Sequence, residues 1–133
     1  MNIKAVIDTN VLVSSFLSKN QKSPTVRIAN AILAGKFTLV YSQEMLEEYE
    51  DVLGRSYLKL PSENVEALLA HIRAIGEAVT PADTSEDFPD PDDKVFYCTA
   101  IASEAKLVTG NLKHYPKSAI VVTPAEFCEL AQL

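Results

Sequence analysis

Three groups of acidic residues lie far apart in this chain, each at a predicted strand-to-helix junction or helix start. They are Asp8, the pair Glu47 and Glu48, and the segment 90–93, which reads Asp-Pro-Asp-Asp. A buried, uncompensated carboxylate costs on the order of several kcal/mol, so charged groups at the ends of apolar strands rarely serve packing alone. If a parallel sheet brings these groups together, they form the oxygen-rich cluster that Mg²⁺ and Mn²⁺ prefer.

The chemistry expected of such a cluster is metal-assisted cleavage of a phosphodiester bond. A divalent cation held by Asp8, Glu48 and Asp93, with Asp90 beside them, would lower the pKa of a bound water and offset charge on a phosphate. Two cations about 4 Å apart could clamp the attacking and leaving oxygens. Because crowded carboxylates repel one another, metal binding should also stabilise the fold.

Each acidic residue also has a structural explanation. Asp8 could cap the helix that follows it, and Asp93 could be the reciprocal partner in a capping box. Glu48 could be one solvated charge on an acidic helix face, where Glu47 is its rival as a ligand. Asp92 fits a first-turn charge favoured by the helix dipole. Local patterns therefore leave a ligand role and a capping role open.

Several polar residues are candidates for supporting roles. Asn10 could orient Asp8 or merely support the turn after it. Thr109 and Asn111 flank a glycine at a predicted strand end, where turn formation explains them nearly as well as a site does. Asp90 is placed to act as a helix N-cap as well as a ligand. Candidate contacts to a phosphate backbone are Lys94, Lys113 and His114, although a surface or loop histidine is the simpler explanation of His114.

The bulk composition bounds the function. The chain has 133 residues, of which 47% are hydrophobic and 23% charged, as expected for one globular domain spanning 1–133. No apolar run is long enough to cross a bilayer, and Asp8 interrupts any secretory signal, so a cytoplasmic location is expected. Cys98 and Cys128 follow no ligand spacing and are interpreted as reduced packing residues.

The net charge of −6 is unfavourable for a protein that binds a polyanion. Non-specific affinity for nucleic acid comes mainly from lysine and arginine, which displace counterions. The charge therefore argues against tight binding of an extended duplex. It permits brief engagement of a single strand if metal neutralises the carboxylates.

The order of predicted elements is an alternation of strands and helices. Strands are predicted at 2–7, 38–41, 77–80, 107–109 and 120–122, and a loop at 81–89. Intervening helices begin after Asp8, Ser23, Ser42, Pro61, Asp90 and Thr123, where cap residues or prolines favour a helix start. This alternation predicts an α/β fold with a mainly parallel sheet and helices on both faces, and its ligands collect at the carboxyl ends of the strands. The helix after Asp90 is expected to bury Phe96, Tyr97, Ala100 and Ile101.

Other α/β classes lack the residues that they require. A phosphoacceptor receiver domain needs an aspartate after its third strand and a lysine after its fifth, and neither is placed here. A haloacid-dehalogenase-type phosphatase needs a second aspartate where this chain has Asn10. No glycine-rich phosphate loop follows the first strand, which excludes the usual nucleotide-cofactor sites.

Four segments, taken in order, resemble the PIN domain family over nearly the whole chain. They are Ile7-Asp8-Thr9-Asn10-Val11-Leu12, Glu48-Tyr49 with Val52-Leu53 after Ser42, Asp90-x-x-Asp93-x-x-Phe96, and Val108-Thr109-Gly110-Asn111. The resemblance is greatest to the VapC-like toxins of prokaryotic toxin–antitoxin pairs. It implies a three-layer α/β/α sandwich and an endoribonuclease that depends on Mg²⁺ or Mn²⁺. It also implies a homodimer and a small antitoxin protein that inhibits the site.

The resemblance assigns residues by position. Asp8, Glu48 and Asp93 match the acidic ligands of the family, and the fourth acidic position falls on Asn111, where many members carry aspartate. An asparagine adds no negative charge, so a second metal site would be weaker. The main alternative is a PIN fold that has lost catalytic power and serves as a binding or scaffold module. Asn111 and the acidic net charge favour that alternative.

Overall fold

Five of the six α-helices described below begin at a polar side chain that accepts a backbone N–H, and the helix that follows Pro61 has no such cap. The computed structural model describes residues 3–133, and Ser23, Ser42 and Thr123 each accept a hydrogen bond there from the N–H three residues later. Proline occupies the first turn of three helices, where its missing N–H costs nothing. Gly35 ends one helix with φ of 69°, a conformation that glycine adopts without strain.

Five strands and six helices make up this part of the chain, and no α-helix separates the last two strands. The strands are β1 (Lys4–Ile7), β2 (Thr38–Tyr41), β3 (Glu77–Ala78), β4 (Lys106–Val108) and β5 (Val121–Val122). The helices are α1 (Thr9–Leu17), α2 (Pro24–Ala34), α3 (Gln43–Leu53), α4 (Ser62–Ile75), α5 (Pro91–Ser103) and α6 (Pro124–Ala131). Short 3₁₀ turns lie at Ser56–Leu58 and Leu112–His114. The predicted elements are all present, although Asn2, the first residue predicted for β1, lies outside the described residues.

The strands form a parallel sheet in the order β3-β2-β1-β4-β5. The six helices flank it in a three-layer α/β/α arrangement, which confirms the predicted fold class. The order of strands reverses next to β1, so the chain leaves β1 and β4 at neighbouring points on the same edge. The N–H of Asp8 donates to the carbonyl of Val108 at 2.9 Å and ties those two strand ends together. Sites in such sheets collect at this reversal.

The core lies between the sheet and the apolar faces of the helices. Tyr49, Phe96 and Phe127 are its largest fully buried side chains. Cys98 and Cys128 are buried and unbridged, in agreement with their interpretation as packing residues. Of the helices in residues 3–133, none has the length and apolar character that a membrane span requires.

The predicted buried face of α5 is wrong at one residue. Ile101 is 37% exposed, whereas the continuous run Phe96, Tyr97, Cys98, Thr99 and Ala100 is buried. The predicted loop at 81–89 explains the difference because it packs against a second side of the helix. The N–H of Ala82 donates to the carbonyl of Cys98 at 3.0 Å, and the rings of Phe88 and Tyr97 lie 5.6 Å apart. The helix therefore buries more than one narrow stripe, on a side that excludes Ile101.

Candidate active site

An open cleft of about 310 Å³ lies at the carboxyl edge of the sheet, beside the ends of β1 and α3. Its volume falls within the range of small-ligand sites, and its lining is mainly polar. The lining residues are Asp8, Thr9, Asn10, Val13, Glu48, Val52, Arg55, Tyr57, Leu58, Asp90, Asp92, Asp93 and His114. The cleft thus gathers carboxylates from all three acidic groups of the sequence.

Asp8 is a buried carboxylate, and both of its oxygens accept hydrogen bonds. It caps α1, because its Oδ1 accepts from the N–H of Asn10 at 3.3 Å. Its Oδ2 accepts from the hydroxyls of Thr109 at 2.8 Å and Tyr115 at 3.2 Å, and only 5% of the residue is exposed. Asp8 therefore caps α1 and lines the cleft at the same time. The two hydroxyls fix one oxygen of the carboxylate and leave Oδ1 with a single, long contact.

Tyr115 was not predicted as part of the site. It follows the 3₁₀ turn Leu112–His114, and the sequence around it gives no signal that the turn directs its ring back toward β1. Burial, reinforced by the negative charge of Asp8, raises the pKa of Tyr115, so the phenol stays protonated and donates. Thr109 was predicted as a support and is fully buried against the same carboxylate oxygen.

Glu48 reaches the cleft because α3 is fixed against the end of β1. The buried hydroxyl of Tyr49 donates to the carbonyl of Ile7, and the hydroxyls of Thr99 and Ser42 lie 3.0 Å apart between α5 and the start of α3. Glu48 Oε2 accepts from the hydroxyl of Thr9 at 3.4 Å. Of the acidic pair Glu47 and Glu48, it is Glu48 that this contact places at the cleft.

The carboxylate of Glu48 lies among other negative charges. Partial burial, followed by the charge of Asp92, raises its pKa. Its neighbour Glu47 is exposed and does not line the cleft. The structure therefore places Glu48, and not Glu47, at the candidate site.

Asp93 is the least satisfied acidic group of the cleft. Its Oδ2 lies 3.1 Å from Nδ1 of His114, an ion-pair contact when the imidazole is protonated. That oxygen is buried and has no hydrogen-bond partner. Burial, followed by the charge of Asp8, raises the pKa of Asp93 to about 6, while His114 opposes the shift. Asp93 therefore lies in surroundings that disfavour its charge, with His114 as its charge partner.

The other two aspartates of the segment 90–93 lie at the rim. Asp90 is the N-cap of α5 and accepts from the N–H of Asp92 at 3.0 Å. Both side chains are exposed. Both line the cleft, where, in addition to burial, the charge of Asp92 raises the pKa of Glu48 and that of Asp90 raises the pKa of Asp93.

Some predicted site residues lie elsewhere. Asn111 is exposed and lines a separate depression with Asn10 and Gly110, while its N–H donates to the hydroxyl of Thr109 at 3.0 Å. Asn10 borders both depressions. Of the three predicted phosphate contacts, His114 lines the cleft, whereas Lys94 and Lys113 do not. Arg55 and Tyr57, which do line it, carried no signal in the sequence.

Comparison with known families decides the classification, because residues 4–113 match the PIN domain. The chain belongs to the PIN domain family. PIN domains are generally nucleases that use divalent metals, so membership supports a nuclease function. A comparison with curated proteins finds no match. The matched range ends before β5 and α6, although β5 pairs with β4 in the sheet of this PIN domain.

The donor chemistry of the PIN-domain cleft fits a hard divalent cation. Its lining supplies carboxylate oxygens, and one of them, Asp93 Oδ2, is buried without a hydrogen-bond partner. As placed, however, no three His, Cys, Asp or Glu side chains within residues 3–133 form a ready metal cage. The residues thus match the preference of Mg²⁺ or Mn²⁺ in chemical type, and ligation requires side-chain movement.

Proposed function

We propose that this PIN domain is an endoribonuclease dependent on Mg²⁺ or Mn²⁺ and acts as the toxin of a toxin–antitoxin pair. The observation that carries the proposal is the convergence of Asp8, Glu48 and Asp93 in one cleft, although they come from distant parts of the chain. Burial, followed by the charge of Asp8, raises the pKa of Asp93. Such crowding of carboxylates is typical of a functional site.

The roles of the acidic residues follow from their surroundings. Asp8 is the most rigid ligand, because Thr109 and Tyr115 fix its Oδ2. Asp93 contributes a buried oxygen whose charge partner is His114, and Glu48 is held by one long hydrogen bond. Asp90 is an auxiliary ligand at the rim. A divalent cation bound there would lower the pKa of an attacking water and offset negative charge on the phosphate.

The surroundings of Asn111 support a site for one cation. Its side chain is exposed and lies in a different depression from the acidic cleft. An amide in that position adds no negative charge. A second cation would therefore lack an anionic ligand there, which favours a site for a single ion.

The partners follow from the proposed activity. The substrate is RNA, and a small antitoxin protein blocks the cleft until it is removed. We further propose that the chain acts in the cytoplasm as a homodimer. Light scattering should then give twice the mass of the chain at micromolar concentrations, and a monomer there would contradict the dimer.

The acidic pair on α3 provides a matched test of the active site. Glu48→Gln and Glu47→Gln remove the same charge from adjacent residues, of which one lines the cleft and one does not. Glu48→Gln should lower Mn²⁺-dependent cleavage of RNA by about 100-fold or more, while Glu47→Gln keeps near-native activity. Equal activity in both variants would remove Glu48 from the site.

The same pair tests the toxin role in a host cell. Induced expression of the native chain should arrest growth, and the arrest should be lost in Glu48→Gln and retained in Glu47→Gln. Growth arrest that survives in Glu48→Gln would separate toxicity from the cleft.

A binding or scaffold module remains the second candidate. It is favoured by the net charge of −6 and by the absence of a ready metal cage within residues 3–133. Calorimetry with Mn²⁺ distinguishes the two, because an enzyme should take up the ion saturably. A chain that shows no saturable uptake and no cleavage is a scaffold.

A further inference from the structure

The turn that follows α3 forms part of the wall of the acidic cleft. Helix α3 ends at Leu53 with Gly54 as its C-cap, and Arg55 leads into the 3₁₀ turn Ser56–Leu58. Arg55 and Tyr57 both line the cleft, together with Glu48 from the same helix. The turn therefore holds a cationic and an aromatic side chain beside the candidate ligands.

Tyr57 presents an open aromatic ring. Its exposed fraction of 71% is the largest of any big apolar side chain in the described part of the chain. None of the aromatic pairs found within residues 3–133 includes it. Aromatic rings normally bury most of their surface, and an exposed ring at the mouth of a cleft provides a face on which a planar group can stack.

Arg55 contacts the hydroxyl of this tyrosine and supplies positive charge. Its Nη2 donates to Asp51 at 3.0 Å, and its Nη1 donates to the hydroxyl of Tyr57 at 3.5 Å. Among the described residues, Arg55 is the one lysine or arginine that lines the cleft. Its charge also lowers the pKa of Glu48, which places it within electrostatic reach of the candidate ligands.

The charge balance of the cleft explains why an uncharged contact matters. One arginine and one histidine face five carboxylates, those of Asp8, Glu48, Asp90, Asp92 and Asp93. Lysine and arginine supply most of the affinity of ordinary nucleic-acid-binding proteins, and here they are scarce. Stacking of a base on a neutral ring adds affinity that does not depend on positive charge.

We propose that Tyr57 and Arg55 form a base-stacking subsite for the substrate. Tyr57 stacks on an unpaired base, and Arg55 contacts the phosphate next to it. Because both faces of a base in a duplex are covered by its neighbours, the subsite selects single-stranded segments. This inference rests on the proposed ribonuclease function and names the residues that give it a preference for single-stranded RNA.

A single fluorophore tests the stacking contact directly. The chain has no tryptophan, so Tyr57→Trp introduces one indole at the subsite. Leu130→Trp is the matched control, since Leu130 is 49% exposed on α6 and does not line the cleft. Both are made with Asp93→Asn to prevent cleavage. The probes are a short single-stranded RNA, its duplex, and an oligonucleotide of the same length that carries no bases.

The single-stranded RNA should quench the indole emission of the Tyr57→Trp chain saturably and leave that of the Leu130→Trp chain unchanged. The duplex and the base-free oligonucleotide should give little quenching. Equal quenching in both chains, or none in Tyr57→Trp, would overturn the subsite. Equal quenching by duplex and single strand would overturn its selectivity. If the turn serves a protein partner instead, no oligonucleotide will change the emission of the Tyr57→Trp chain.

Substitutions separate stacking from charge. Tyr57→Ala should weaken binding of single-stranded RNA by about 10-fold, whereas Tyr57→Phe keeps the ring and near-native affinity. Arg55→Ala should reduce the slope of log K against log salt concentration by about 0.7, and neither tyrosine variant should change that slope. Equal affinity of the Ala and Phe variants would contradict stacking.

This test does not depend on cleavage. A chain that cuts RNA, but whose Tyr57→Trp variant shows no quenching, keeps the proposed ribonuclease function and loses the subsite. A chain that shows quenching in the Asp93→Asn background but no cleavage with native Asp93 keeps the subsite and loses the ribonuclease.

Discussion

The first turns of α5 and α6 have the same local pattern and different outcomes. Each begins with a cap residue, a proline, one further residue and an acid, Asp90 to Asp93 in one case and Thr123 to Glu126 in the other. In α6 the acid closes a capping box, since Glu126 accepts from the N–H of Thr123 at 2.9 Å. In α5 the cap bonds to Asp92, and Asp93 Oδ2 is buried beside His114 without a hydrogen-bond partner.

The contrast extends to the pKa values of the two acids. Hydrogen bonds from Thr123 lower the pKa of Glu126, which is fully exposed. Burial and the charge of Asp8 raise the pKa of Asp93 to about 6. Capping boxes use glutamate or glutamine at this position, and the shorter aspartate side chain reaches back less well. Glu126 thus caps its own helix, whereas Asp93 lines the cleft.

The largest expected effect is on cleavage. Asp93→Asn removes a candidate metal ligand and should lower Mn²⁺-dependent RNA cleavage by about 100-fold or more. Glu126→Gln makes the same chemical change at the equivalent position of α6 and should leave the rate unchanged. A comparable loss in both variants would show that the two acids act through helix stability alone. Initial rates on one RNA substrate measure the difference.

A second effect, of intermediate size, is on stability without divalent metal. Thr123→Ala removes the cap of α6 and should lower the free energy of unfolding by about 1 kcal/mol. Asp93→Asn should raise it at pH 7, because the charged form of Asp93 is disfavoured by burial and by Asp8. Urea unfolding with EDTA measures both changes. A destabilised Asp93→Asn variant would indicate that Asp93 stabilises the fold.

The smallest effect is a difference in pH dependence. The pKa of Asp93 is raised from 3.8 to about 6, so its contribution to stability is present below 3.8 and is lost as the pH rises to about 6. The pKa of Glu126 is lowered from 4.5, so its contribution is present above 4.5 and is lost as the pH falls through its folded value.

Metal-free unfolding at a series of pH values checks both signs. The stability gained in Asp93→Asn relative to the native chain should grow as the pH rises from 3.8 to about 6. The stability lost in Glu126→Gln should shrink at acid pH. Parallel curves for both variants would contradict the assigned environments.

Much of the fold could be predicted because its signals are local. Ser42 and Thr123 act as predicted caps, and the bounds of β2 agree with the sequence pattern. Ile101 could not be placed correctly, because the buried side of α5 depends on a loop distant in sequence. The spacing of apolar residues predicts a helix that is buried on one face. In the structure the segment 81–89 also packs against α5 and buries a second side of it.

The candidate site was predictable only in part. Asp8 follows from its position after an apolar strand. Glu48, and not Glu47, faces the cleft because the hydrogen bond of Tyr49 fixes the rotation of α3 about its axis. The local sequence does not reveal that rotation. Tyr115 and Tyr57 enter through turns whose conformations are set by tertiary contacts. Those residues required the three-dimensional structure.

The brevity of β3 and β5 has a consequence for assembly. Each contributes two residues at an outer margin of the sheet, and Glu77 in β3 is already paired with Lys4 at 3.1 Å. Edge strands this short offer few free backbone groups to an incoming strand. Many proteins avoid edge-to-edge aggregation of their sheets in this way. If the proposed homodimer and antitoxin complex form, we expect them to use side chains on the helices and turns instead of these edges.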